Sequence, residues 1–128
     1  MLSEPISNDS GSEHMSDCIF CKIIHGEIPS QVVYEDERIF AFDDINPQAP
    51  VHTLIIPKAH YASLQDIPED KLDFISHLFS KIREIAQKKG LAENGFRIVL
   101  NTGRDSGQDV FHIHFHLLGG RRMAWPPG

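Results

Sequence analysis

Apolar residues recur along the chain with two different periods, which separate a predicted helix from predicted strands. Between residues 66 and 89 the spacing is three and four, so the apolar side chains share one face of an amphipathic helix. They are Leu72, Ile75, Leu78, Phe79, Ile82, Ile85 and Ala86. Asp66 with Glu69 resembles a capping box, and Lys88 with Gly90 is typical of a helix C-terminus. We therefore predict one long helix over 66–89.

Alternation with a period of two predicts strands elsewhere. The predicted strands are residues 31–35, 38–43 and 52–57, the stretch "GFRIVLNTG" (95–103) and the stretch "VFHIHFHLLG" (110–119). The first two form a hairpin around an acidic turn. Residues 18–25, "CIFCKIIH", have helix-forming character and are followed by Gly26, which predicts a short helix. The expected fold class is α+β, with an approximately five-stranded, mostly antiparallel sheet, one long helix and one short helix.

The composition is that of an ordinary globular chain with an excess of acidic residues. At 128 residues the chain is long enough for one domain. Its formal net charge of -6 disfavours nucleic acid or an anionic lipid surface as a partner, and no apolar run is long enough to cross a bilayer. A small phosphate ligand stays open, because oriented N–H groups bind an anion without net positive charge.

The first fourteen residues differ from the rest of the chain. They lack the basic start and the apolar stretch of a signal peptide, and a second methionine, Met15, follows them. We expect residues 1–14 to be a disordered leader or a cloning remnant and residues 15–128 to form the domain. The expected compartment is the cytoplasm.

Three histidines, His112, His114 and His116, occupy alternate positions of the last predicted strand and therefore share one of its faces. The residues between and beside them, which line the other face, are Phe111, Ile113, Phe115 and Leu117. Buried imidazoles without partners are costly, so the histidine face predicts a polar site. Three interpretations stay open: sheet histidines bonded to the backbone, metal ligands, or a neutral imidazole that acts as a nucleophile.

The segment "NTGRDSGQDV" before this strand favours a phosphate ligand. Gly103 and Gly107 allow the backbone to turn its N–H groups toward an anion, and Asn101 and Gln108 add neutral donors. The segment has no lysine and no magnesium ligand set, which suits a singly charged α-phosphate better than a triphosphate. This neighbourhood favours nucleophilic catalysis by a histidine.

The stretch "HIHFHLL" matches, at every position, the His-φ-His-φ-His-φ-φ motif (φ apolar) of the histidine triad (HIT) superfamily, which the chain resembles from Cys18 to Gly128. "FDDINPQAPVHTLIIPK" and the ending "GGRRMAWPPG" belong to this resemblance, and the ending is similar to that of the Hint branch. The resemblance implies a homodimeric purine nucleoside phosphoramidase. Its implied substrates are purine nucleoside 5′-phosphoramidates and aminoacyl adenylates, cleaved through a nucleotidyl-histidine without a catalytic metal.

The resemblance also implies roles for individual residues. His114 would be the nucleophile, His116 would bond to the phosphate or the bridging atom, and His52 would help to orient the nucleophile. The implied phosphate-binding residues are Asn101, Gly107, Gln108, Asp109 and Val110. Asp44 would bind the ribose, and the implied purine pocket consists of Ile19, Phe20, Ile23, Phe42 and Ile45. Trp125 would approach the site of the neighbouring subunit.

Asp109 departs from the family pattern, because eukaryotic Hint proteins carry a serine there. A carboxylate would repel the phosphate unless its side chain points away, as strand alternation relative to Val110 indicates if the pairing extends that far. The role of the serine is not carried over. A carboxyl group as a substitute proton source stays open.

Cys18 and Cys21 form a CxxC pair, which is typical of metal binding or of redox chemistry. The resemblance implies that His60 and His112 complete a Cys2His2 zinc site. Four protein ligands leave no position for a water nucleophile, so this zinc would be structural. The alternative is a pair of reduced cysteines without metal.

Two other functions stay open. One is a dinucleoside polyphosphate hydrolase of the Fhit-like branch, against which the "WPPG" ending argues. The other is a zinc-stabilised nucleotide-binding or interaction module without important turnover. It predicts nucleotide binding that survives the loss of His114.

Overall fold

The sheet of this protein has five strands, all paired antiparallel, in the order β1-β2-β3-β5-β4. The structure, a computed structural model, describes residues 17–128, so the predicted leader lies outside the described residues. The strands are β1 (Gln31–Glu35), β2 (Ile39–Asp43), β3 (Val51–Pro57), β4 (Phe96–Leu100) and β5 (Phe115–Gly119). Within residues 17–128 the α-helices are α1 (Ile19–Ile24) and α2 (Phe74–Lys88). The predicted α+β class is confirmed.

Each face of the sheet is covered by one helix. The long helix α2 packs on one face in a core that contains Leu78, Ile82, Ile85, Ile113, Phe115 and Leu117. The short helix α1 packs on the other face in a core that contains Phe20, Ile23, Phe40, Phe42 and Leu54. The ring of His114 meets the ring of Phe20 edge-on, so the histidines lie on the α1 face while the apolar residues between them lie on the α2 face.

The long helix begins at Phe74, eight residues later than predicted. Short 3-10 turns at Leu64–Asp66 and Glu69–Lys71 precede it. Ile67 has an extended backbone (ψ 122°), because the residue before a proline is disfavoured in helical geometry and Pro68 follows. The predicted capping box is therefore wrong.

The residues predicted for the start and end of that helix have separate outcomes. Asp66 accepts a hydrogen bond from Ser63 Oγ at 2.7 Å instead of capping a helix. At the other end, α2 stops at Lys88, and Gly90 takes the left-handed φ of +78°. The predicted end of the helix, at a basic residue followed by a glycine in left-handed geometry, is confirmed.

The last strand begins at Phe115, five residues later than predicted. Before it, the N–H of Ile113 donates to the carbonyl of Tyr61 at 2.7 Å, outside the sheet, so the chain leaves the ladder there. Ile113 is nevertheless fully buried in the α2 core, as alternation predicted. Phe111 does not continue this apolar face, because its side chain is 59% exposed.

A polar contact joins the β1–β2 turn to helix α2. Asp36 Oδ1 accepts hydrogen bonds from the N–H groups of Arg38 and Ile39, and its Oδ2 accepts them from Tyr34 Oη and His77 Nε2. Although burial raises the pKa of Asp36, these donors outweigh it and hold the pKa well below its usual value. His77 lies outside the apolar face of α2, is half-buried, and is hydrogen-bonded to Asp36.

No described helix is long and apolar enough to span a membrane.

Candidate active site

A cavity of about 540 Å³ opens beside the histidine face, between helix α1 and the end of the loop before β5. Its lining includes these predicted site residues: Ile19, Phe20, Ile23, Phe42, Asp44, Ile45, Asp109, Val110, His114 and His116. One wall is apolar and the opposite rim is polar. Ile45 stands at the rim, because it is 99% exposed.

His114 is held in one ring orientation by a backbone carbonyl and by two neighbouring rings. Its Nδ1 lies 2.8 Å from the carbonyl oxygen of its neighbour His112, and a carbonyl only accepts, so Nδ1 carries the proton. In the neutral ring, Nε2 then keeps its lone pair. The ring is almost completely buried and packs edge-on against Phe20 and His116, with centroids 5.1 and 4.9 Å away. The arrangement holds a nucleophilic nitrogen at the cavity wall.

The rings of His116 and His52 are hydrogen-bonded to each other. The N–H of Gln48 donates to His52 Nδ1 at 3.0 Å, so His52 carries its ring proton on Nε2. His52 Nε2 lies 2.9 Å from His116 Nδ1, to which it donates, and neutral His116 therefore carries its proton on Nε2. We predicted that His52 orients the nucleophile. Its hydrogen bond goes to His116 instead, while the carbonyl of His112 orients His114.

The acidic residue Asp44 lies behind this pair. Its Oδ2 is 3.5 Å from His52 Nε2, and its Oδ1 accepts a hydrogen bond from the N–H of Asn46. Asp44, His52 and His116 are close enough together to resemble a metal site. The Gln48 donor argues against that use, because it leaves His52 Nε2 protonated and without a lone pair for a metal.

Asp109 lies at the cavity and not away from it. It lines the cavity with His114 and His116, and its negative charge raises the pKa of His116. The expectation that its side chain points away is wrong, because the β5 ladder stops at Phe115 and strand alternation does not extend to residue 109. A ligand in the cavity therefore lies near the carboxylate of Asp109.

The loop before β5 uses some of its predicted phosphate donors internally. Both hydrogen atoms of Gln108 Nε2 are used, on the carbonyls of Ala62 (2.7 Å) and Val110 (3.0 Å), and its Oε1 accepts from the N–H of Gly103. The N–H of Gly107 donates to the carbonyl of Arg104 at 3.0 Å. We predicted phosphate contacts from Gln108 and Gly107. Here these donors hold the loop, and their contact with a phosphate stays a prediction. Gly103 and Gly107 do take the predicted positive φ, +81° and +86°.

A cluster of sulfur and nitrogen atoms lies next to the cavity, where helix α1 begins. His112 Nδ1 is 3.4 Å from Cys18 Sγ and 3.6 Å from Cys21 Sγ. His60 Nδ1 is 3.4 Å from Cys21 Sγ and 3.2 Å from His112 Nδ1. Ligand atoms on a tetrahedral zinc with ordinary bond lengths lie about 3.3 Å (two nitrogens) to 3.8 Å (two sulfurs) apart, so the four side chains fit this ion.

The protonation of the cluster agrees with a metal site. His112 Nε2 donates to the carbonyl of Pro57 at 2.8 Å, which leaves the Nδ1 lone pair directed at the sulfur atoms. The hydrogen bond from Cys21 holds the pKa of Cys18 below its usual value although burial raises it, and the same contact and burial raise the pKa of Cys21. A thiolate is the form of cysteine that binds metals.

A family model agrees with this geometry: the HIT domain matches residues 25–123. The chain belongs to the HIT domain family. This HIT protein is 47% identical over 130 residues to the protein named adenylylsulfatase HINT1 from Arabidopsis thaliana, covering 100% of this chain and 88% of that one. It is 51% identical over 115 residues to a 14 kDa zinc-binding protein from Zea mays, covering 88% of this chain and 89% of that one.

Solved structures resemble this HIT protein as closely. A HIT family hydrolase from Legionella pneumophila superposes with a TM-score of 0.84 at 52% identity, covering 87% of this chain and 99% of the other. A histidine triad protein from Clostridium difficile superposes with a TM-score of 0.82 at 53% identity, covering 84% of this chain and 94% of the other. The predicted membership of the histidine triad superfamily is confirmed, and the similarity to HINT1 agrees with the Hint branch.

The HIT protein's cavity also contains residues that sequence reasoning missed: Ile28, Pro29, Ser30, Gln31, Asp43 and Leu54. Leu54 could have been found, because it pairs with Phe42 in the register of β2 and β3 and shares its face. The predicted catalytic and substrate-binding residues that do not line the cavity are His52, Asn101, Gly107, Gln108 and Trp125. Asn101 follows β4 and is half-buried, while Trp125 is 82% exposed in the C-terminal tail.

Burial of His116 predicts that this HIT protein loses stability in acid. Burial first, and then the charges of His114 and His52, lower the pKa of His116 from 6.5 to about 4, against Asp44 and Asp109, which raise it. Between pH 6.5 and 4 the unfolded chain binds a proton that the folded chain does not, so the free energy of unfolding falls as the pH decreases and levels off below 4.

Urea unfolding at a series of pH values between 4 and 7 measures this dependence. The matched variant His116→Gln removes the titrating group and is expected to flatten the slope over that interval. His52, whose pKa is also lowered by burial, contributes in the same direction and keeps part of the slope. Equal slopes in the two proteins would mean that His116 is not held neutral by the fold.

Proposed function

We propose that this HIT protein hydrolyses the P–N bond of purine nucleoside 5′-phosphoramidates, and the acyl phosphate bond of aminoacyl adenylates, through a nucleotidyl-His114 intermediate. The observation that carries the proposal is the placement of His114: a buried imidazole at the cavity whose Nδ1–H is bonded to the carbonyl of His112, so that Nε2 is the nitrogen that holds the lone pair in the neutral ring. The ring lines a cavity that is large enough for a nucleotide.

The hydrogen bonds of His114 and of His116 support a reaction in two steps. In the first step His114 Nε2 attacks the α-phosphorus of a substrate protonated on its leaving nitrogen, the P–N bond breaks, and the amine leaves while His116 Nε2–H donates a hydrogen bond to it. In the second step water attacks the same phosphorus, a proton is released to solvent, and the bond between phosphorus and His114 breaks. The products are the nucleoside monophosphate and the amine, and the enzyme is regenerated.

The cavity walls suit the other parts of a purine nucleotide. The apolar wall of Ile19, Phe20, Ile23 and Phe42 matches the flat faces of a base. Asp44 would accept hydrogen bonds from the ribose hydroxyls at the rim. Asp109 and Val110 line the cavity beside His114 and would hold the phosphate through their backbone N–H groups.

Comparison of three adenylates with different leaving groups tests this proposal. We would measure turnover of an adenosine 5′-phosphoramidate, of adenylyl sulfate, which the name of the Arabidopsis relative suggests, and of a diadenosine polyphosphate. Intact mass during turnover, without acid in the quench, would detect the adenylated protein. We expect the phosphoramidate to be preferred and the adduct to form in wild type or in the slowed variant His116→Ala.

Two results would contradict this expectation. Preference for the diadenosine polyphosphate would favour the Fhit-like branch. Nucleotide binding without turnover or adduct in any form would favour a zinc-stabilised binding module, in which the histidines only contact the ligand.

We also propose that Cys18, Cys21, His60 and His112 hold a structural zinc, as the donor set and spacing support. The ion would join helix α1 to the segment before β5, and four protein ligands would complete its coordination. Its contribution would be to the stability of the site. The proposed chemistry uses groups that His114 and His116 supply.

We propose further that residues 15–128 form the HIT domain. We also propose that two copies of this domain associate through β4. This strand is at one end of the sheet, and Phe96 and Ile98 on it are partly exposed, as is Phe79 on α2. An exposed apolar edge strand favours pairing with a second chain. Sedimentation at several concentrations would detect the dimer, and a monomer throughout would contradict it.

A further inference from the structure

The loop between β2 and β3, residues 44–50, is held on its inner side by the catalytic histidines. The N–H of Gln48 donates to His52 Nδ1 at 3.0 Å, and the N–H of Asp44 donates to the carbonyl of His52 at 2.9 Å. His52 in turn donates to His116 Nδ1 at 2.9 Å. The placement of one loop residue, Gln48, therefore determines which ring nitrogen of His116 carries the proton.

The same loop is held on its outer side by the C-terminal segment. Arg121 Nε and Nη2 donate to the carbonyl of Gln48 at 3.2 and 3.1 Å. The backbone runs very close to the loop at the preceding residue: Gly120 has a φ of +90°, and a Cβ added to it would lie 2.9 Å from the Cβ of Pro50. Glycine at 120 thus allows the close approach that brings Arg121 to Gln48.

We propose that Arg121 is a positioning residue that acts through Gln48 and His52 to keep His116 a hydrogen-bond donor toward the cavity. The assignment rests on the proposed function, in which His116 donates a hydrogen bond from Nε2 to the leaving group. Arg121 does not line the cavity, so its effect has to pass through the loop.

The physical reason is that one hydrogen bond selects between two ring tautomers. With the Gln48 donor in place, His52 Nδ1 can only accept, and His116 presents an N–H to the cavity. If the loop moves away, His52 can carry its proton on Nδ1 and accept at Nε2. His116 would then donate from Nδ1 and present a lone pair toward phosphate oxygens, which repel it.

The tautomers can be read directly from the ring nitrogen chemical shifts in ¹⁵N-labelled protein at neutral pH. We would compare wild type with Arg121→Ala, Arg121→Lys and the matched control Arg122→Ala, which removes the same charge from the neighbouring exposed residue. Wild type and Arg122→Ala are expected to show His52 and His116 protonated on Nε2. Arg121→Ala is expected to show a mixture of tautomers at both rings, with partial recovery in Arg121→Lys.

Kinetics on an adenosine 5′-phosphoramidate gives the second measurement. Arg121→Ala is expected to lower kcat roughly tenfold while KM changes less than about twofold, because the donor is needed for departure of the leaving group. Wild-type tautomers in Arg121→Ala, or an equal loss in Arg122→Ala, would overturn the proposal. If wild type has no turnover, the proposed function fails, and the nitrogen shifts still decide whether Arg121 sets the tautomers.

Discussion

The variant His114→Ala should reduce kcat for an adenosine 5′-phosphoramidate by about 10⁴-fold or more, as expected when a covalent nucleophile is removed. The replacement leaves the cavity and the bonded pair of His52 and His116 in place, so the loss should fall on the chemical step and not on binding. Nucleotide affinity should remain within about tenfold of wild type. Steady-state rates and equilibrium binding of a nucleoside monophosphate separate the two effects.

A second histidine substitution provides the control for this experiment. His25 is exposed at the end of helix α1, outside the lining of the cavity, so His25→Ala is expected to retain wild-type kcat. The nucleophile variant should also show no mass increase during turnover. A rate for His114→Ala within about tenfold of wild type would show that another group attacks the phosphorus.

Loss of Cys21, a ligand of the proposed zinc, should have the largest effect on stability. We expect Cys21→Ser to reduce bound zinc from one ion per chain to almost none and to lower the Tm by roughly 10 °C or more. The reason is that Cys21 lies in helix α1, while His60 and His112 belong to other segments, so the ion would join parts of the chain that otherwise meet through a small core. Metal analysis and thermal unfolding measure the two quantities.

Chelation separates the loss of zinc from the loss of packing in this variant. A chelator should lower the Tm of wild type toward that of Cys21→Ser and should not change the Tm of the variant itself. Nucleotide affinity should fall with the metal, because Phe20 in the apolar wall is adjacent to Cys21 in α1. The proposed site would be contradicted if wild-type protein from cells grown with zinc contained no zinc and if the chelator did not change its Tm.

The sequence was informative where a pattern depends on local geometry. Alternation placed Ile113 and Leu117 in the α2 core and the histidines on the opposite face, and it did so even where no ladder forms. The start of α2 was wrong because Pro68 interrupts a pattern whose periodicity continues through it. Periodicity reports which face is apolar, whereas the ends of an element depend on individual backbone bonds.

Hydrogen-bond partners were the part of the site that the sequence could not supply. Gln108 was identified as a donor, yet its amide is used on the carbonyls of Ala62 and Val110. His52 was identified as a helper of the nucleophile, yet it is bonded to His116. A sequence shows how many donors a segment contains, and only the folded backbone determines what they donate to.

His112 contacts both the cysteine pair and His114. Its ring is directed at the sulfur atoms of the Cys18 and Cys21 pair, while its carbonyl oxygen accepts a hydrogen bond from His114 Nδ1–H. A substitution there that preserved the backbone would still withdraw a ligand, and one that shifted the backbone would rotate the reactive ring. The side chain of residue 112 therefore belongs to the proposed zinc site and its backbone to the proposed reaction, so substitutions at this one position can separate the two roles.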